Sequence, residues 1–105
     1  MSPDATRQEE FSGLMVDVLN KGALALLVSV GHQTGLFDTM STLPPSTSSD
    51  IAKAARLDER YVREWLGGMV VGGILEYEPD GATYTLPPEH AASLTTAAAP
   101  TTSPG

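Results

Sequence analysis

Residues 57–77, LDERYVREWLGGMVVGGILEY, constrain the fold more than any other part of the sequence. At the helical repeat, Tyr61, Val62, Trp65, Leu66, Met69 and Val70 fall on one side, at spacings of one, three and four. Arg60, Arg63, Glu64, Gly67 and Gly68 fall on the other, with Glu59 at the border. This pattern predicts an amphipathic helix with an apolar face wide enough to enter a core. Asp58 precedes it and can accept hydrogen bonds from the first unsatisfied amides, and Gly72-Gly73 supplies a stop. Just upstream, Thr47-Ser48-Ser49-Asp50 resembles a capping box with Asp in the acidic position. Ile51, Ala52, Ala55 and Leu57 would give the short helix over Thr47–Arg56 a buried side.

Beyond Gly73 the apolar period falls to two. A hairpin with Asp80-Gly81 at its tip pairs Glu76 with Thr85, Tyr77 with Tyr84 and Leu75 with Leu86. Pro79 beside the tip leaves the turn type open. Pro87-Pro88 ends the strand, and Glu89–Thr96 is expected to form a last helix with Pro88 at its first position. Helix, tight turn, amphipathic helix and strand pair give a mostly α fold, a winged helix-turn-helix with a two-stranded β-hairpin wing.

The first 40 residues carry a different signal. Phe11, Leu14, Met15, Val18 and Leu19 recur at three and four, so a helix is expected from Glu9 to about Asn20. Asn20-Lys21-Gly22 either breaks or interrupts it. Residues 22–31, GALALLVSVG, are apolar on every side, the mark of a buried helix. One domain of this size cannot easily cover all of those sides, so a second subunit or a second domain is expected to do so. Leu36, Phe37 and Met40 predict a short helix closing over the core, and Leu43-Pro44-Pro45-Ser46 a loop. Residues 1–8 read as a flexible tail, 9–96 as the folded domain, and 97–105 as a flexible tail or linker.

Composition narrows the chemistry. The chain has no cysteine, which excludes disulfides, thiolate metal sites and cysteine nucleophiles. Thirteen acidic residues against six basic ones give a net charge of −7, which opposes contact with a phosphate backbone. The N-terminus has neither the basic nor the apolar region of a signal peptide. The uncharged apolar run from Gly22 to Gly31 is about half the length of a membrane span. A cytoplasmic location without membrane association is expected.

The segments GALALLVSVGHQTGLFDTM, LPPSTSSDIA, LDERYVREWLGGMVVGGILEY and YTLPPEHAASLT together resemble the N-terminal domain of a bacterial group of class I S-adenosylmethionine-dependent methyltransferases. Some of that group carry the label of transcriptional regulators because of this winged helix. The resemblance covers roughly residues 11–96, and ERYVREWL followed by GGILEY is its most specific part. It implies homodimerisation, a role in covering the substrate side of the active site, and a Rossmann-like catalytic domain that binds S-adenosylmethionine. These 105 residues hold no acidic-Gly-x-Gly-x-Gly turn. The cofactor is therefore expected to bind the full-length family rather than this chain, and the chain alone is expected to be inactive.

Candidate site residues follow on these terms. No nucleophile-base pair, cofactor-binding turn or metal-ligand set stands out; Glu89-His90 has no second ligand pair. His32, at the end of the apolar helix, is the candidate to face a substrate, with Phe11, Met15 and Phe37 as candidate pocket lining, although a histidine there also caps helices and the apolar spacing also suits a core. For the alternative reading, a DNA-binding regulator, Arg60 and Arg63 are the candidate contacts. Each has an acidic residue four positions away, Glu64 and Glu59, and the wing carries Glu76, Glu78 and Asp80 without a basic residue. Gly67 and Gly68 on the exposed side predict either the close approach of another backbone or simple flexibility.

Overall fold

The computed structural model describes residues 5–95. Its elements run α1 (Ala5–Thr34), α2 (Leu36–Ser41), α3 (Ser48–Ala55), α4 (Glu59–Val71), β1 (Glu76–Glu78), β2 (Thr83–Thr85) and α5 (Pro88–Leu94). The two strands pair antiparallel, Glu76 with Thr85, Tyr77 with Tyr84 and Glu78 with Thr83. This is the expected winged helix-turn-helix, with α3 and α4 as the helical pair and the hairpin as the wing.

Local chemistry fixes both ends of the helical pair. The Thr47 side chain accepts from the Asp50 amide, and Asp58 Oδ1 accepts from the amides of Arg60 and Tyr61 at 2.9 and 3.2 Å. At the far end of α4 the Gly73 amide donates to Val70 and the Ile74 amide to Met69. Gly73 holds φ +80 between them, a backbone state that glycine adopts without penalty. The α3–α4 turn is tied a second time, because Ser48 Oγ donates to Glu59 Oε2.

The core lies where α2, α3 and α4 meet the base of the wing. Leu36, Phe37, Met40, Ile51, Ala52, Val62, Trp65, Leu66, Met69, Leu75 and Leu86 are buried there. The expected α4 face is therefore correct at its centre, while Tyr61 is exposed and Val70 half-buried at its margins. On the wing, Tyr77 and Tyr84 stack with ring centroids 4.9 Å apart.

The hairpin tip keeps the expected register, and the turn type that Pro79 left open is not a primed one. The Ala82 amide donates to Pro79 at 3.3 Å, leaving Asp80 and Gly81 at the tip, yet the positive φ (52°) falls on Ala82. A third segment joins the wing: Ser46 and Tyr84 exchange both backbone hydrogen bonds, at 2.8 and 3.2 Å. Nothing local in Pro44-Pro45-Ser46 signals that pairing.

The largest departure from expectation is α1. It is a single helix of 30 residues, unbroken at Asn20-Lys21-Gly22. An interruption would have left amides and carbonyls unsatisfied at two new ends, whereas one glycine inside a helix costs about 1 kcal/mol. Lys21 also pairs with Asp17 at 3.1 Å across the junction. The described part of the helix takes in residues 5–8, which were expected to lie in a tail; residues 1–4 and the expected tail at 97–105 lie outside the described residues.

The apolar run is not buried all round within this chain. Leu24, Leu27 and Val28 lean on the core and Gly31 is buried, but Ala25, Leu26 and Ser29 are exposed, and so is every residue from 5 to 23. As a whole α1 is long and apolar enough to span a membrane, although Leu24, Leu27, Val28 and Gly31 are engaged by the core. The outer half of α1 projects from the domain. Accordingly the Cα radius of gyration is 17.4 Å, against about 13 Å for a compact chain of this length.

Candidate functional site

Gly31 sets the seat of α1. A Cβ at this position would lie 2.5 Å from Phe37 Cε2 and 2.7 Å from Trp65 Cζ2. Only a bare backbone lets these two rings close against the helix. Phe37 and Trp65 meet edge to face, centroids 5.3 Å apart, and Trp65 Nε1 donates to the Leu27 carbonyl at 2.8 Å. Farther along the contact, a Cβ on Gly68 would strike Leu27 Cδ1 and one on Gly72 would strike Leu24 Cδ1. The sequence left Gly68 open between approach of another backbone and flexibility; what comes close is the Leu27 side chain of the same chain. Gly67 has nothing within 4 Å of a Cβ.

The candidate substrate-facing residues do not form one group. Phe37 is only 1% exposed and belongs to the core, where Leu36, Phe37 and Met40 share the inner face of α2. His32 lies in the last turn of α1, exposed, with its ring edge-on to Phe37 at 5.3 Å. Phe11 and Met15 are exposed on the outer half of α1. Along one helix, Phe11 and His32 are separated by about 30 Å at 1.5 Å per residue. His32 and Phe37 meet; Phe11 and Met15 stand apart from both.

Arg60 and Arg63 are exposed on α4 and carry the helical partners their spacing implies. Arg60 Nε lies 3.6 Å from Glu64 and Arg63 Nη2 3.8 Å from Glu59. The wing beside them presents Glu76, Glu78 and Asp80. Burial raises the pKa of Tyr84 at the wing base, with the neighbouring Tyr77 and Glu59 adding to the effect and Arg63 opposing it.

His90 has a role its sequence position did not reveal. Its Nδ1–H donates to the Ile74 carbonyl at 2.7 Å, tying α5 to the turn that leaves α4. Among the described residues no cluster of three or more His, Asp or Glu side chains is arranged to hold a metal ion.

Two apolar surfaces remain among the described residues. The first is a stripe on the outer half of α1: Phe11, Leu14, Met15, Val18 and Leu19 are all exposed, and Leu26 continues the line. The second is a groove of about 710 Å³ where α1 and α4 diverge, floored by Gly67, Gly68 and Gly72. Leu24, Leu27 and Ala23 wall it on the α1 side, and Val71, 90% exposed, stands at its edge. The charged residues on its rim are Lys21, Arg63 and Glu64, and each is paired along its own helix.

Comparison with known proteins places this arrangement. The model of the Rv2258c-like winged HTH domain family matches residues 22–96. No curated protein sequence matches the chain. Among solved structures, a protein assigned as an O-methyltransferase from Nostoc punctiforme PCC 73102 is similar with a TM-score of 0.70 at 16% identity, over 94% of this chain and 27% of its own. Human N-acetylserotonin methyltransferase, in complex with SAM, gives 0.69 at 21% identity, over 90% of this chain and 27% of its own. LepI, also in complex with SAM, gives 0.65 at 19% identity, over 91% and 25%. At these identities the likeness is one of fold, and the chain spans about a quarter of each neighbour's length.

Proposed function

Because this chain belongs to the Rv2258c-like winged helix-turn-helix family, we propose that it is the dimerisation and substrate-side covering domain of an S-adenosylmethionine-dependent methyltransferase. The observation that carries this reading is the outer half of α1. Residues 5–23 are exposed throughout, and the apolar stripe they bear is continuous with a helix seated in the core. A stripe of that kind in water favours association through apolar burial. The two methyltransferases of the same fold supply the class of protein.

The described residues do not fit S-adenosylmethionine itself. Gly67, Gly68, Gly72 and Gly73 lie within α4 or at its end, and Gly68 and Gly72 are occupied by leucines of α1. No glycine-rich turn follows a strand among them. On this reading cofactor binding and methyl transfer belong to a Rossmann-like partner domain, and the chain on its own is inactive. On this reading His32, the exposed ring at the inner end of α1, faces the methyl-acceptor side with Phe37 packed behind it. Phe11 and Met15 belong to the dimer contact.

The test is the mass in solution. Light scattering is expected to give twice the 11.0 kDa of one chain; a single-chain mass in concentrated solution would overturn the reading. The alternative, a DNA-binding regulator, is disfavoured by the Glu partners of Arg60 and Arg63 and by the acidic wing. Fluorescence anisotropy with a labelled duplex at low salt is expected to show no binding. A curve that weakens steeply with added salt would restore the regulator.

A further inference from the structure

We draw no further inference here: the strongest candidate, the apolar groove between the inner half of α1 and α4, floored by Gly67, Gly68 and Gly72, carries nothing because no feature of the structure shows what covers it.

Discussion

The indole nitrogen of Trp65, on α4, donates to the backbone carbonyl of Leu27, on α1, at 2.8 Å. The bond joins residues 38 positions apart and lies where the longest helix meets the core. It satisfies the one polar atom of a side chain that is otherwise apolar and buried.

Trp65→Ala is expected to lower stability by about 3–5 kcal/mol, through lost burial and the cavity left beside Phe37. Trp65→Phe keeps most of the ring but not the donor, and should cost less, with about 1 kcal/mol assigned to the hydrogen bond. Urea unfolding followed by circular dichroism measures both, since either change removes the only tryptophan. Equal losses would show that packing at this site matters little beside the hydrogen bond.

Gly31→Ala and Gly67→Ala make the same chemical change with opposite expected signs. At Gly31 the new methyl meets the Phe37 and Trp65 rings, and overpacking of that kind costs about 1–3 kcal/mol. At Gly67 it meets nothing and should stabilise the helix by roughly 0.5–1 kcal/mol. Denaturant midpoints of the two variants, measured on the monomer, check both. A neutral Gly31→Ala would mean that α1 can shift outward at little cost.

Asp58→Ala removes the acceptor for two amides at the start of α4. A loss of about 1 kcal/mol is expected. Asp58→Asn, which keeps an acceptor, should recover most of it in the same unfolding experiment.

Tyr84 gives a pH dependence on the alkaline side. Its pKa in the folded chain is raised, burial being the main cause, so the folded state holds the phenol proton more tightly than the unfolded state does. Its contribution is complete below the usual tyrosine value of about 10 and is lost as pH rises through the higher folded value. Tyr84→Phe should flatten the decline of thermal stability above that pH. A decline of the same slope in the variant would assign the effect to other groups.

The sequence made legible what depends on neighbours in the chain. Thr47 and Asp58 cap as their spacing requires, Gly72-Gly73 ends α4, and the Tyr77–Tyr84 register follows from alternation around Asp80-Gly81. The pairing of Arg60 with Glu64 and Arg63 with Glu59 was readable in the same way. Contacts between distant segments were not. No periodicity announces that Ser46 pairs with Tyr84, that His90 holds Ile74, or that Gly68 makes room for Leu27. Phe37 illustrates the limit on site residues: its spacing suits a pocket or a core, and only its contact with Trp65 decides for the core. At Asn20-Lys21-Gly22 poor local helix signals were outweighed by the cooperative continuity of a long helix.

That continuity makes α1 a lever. Its fulcrum is Gly31, seated against two aromatic rings, and its long arm stands in solvent. A partner that grips the arm near Phe11 pulls on the same rigid rod that carries His32 beyond the fulcrum.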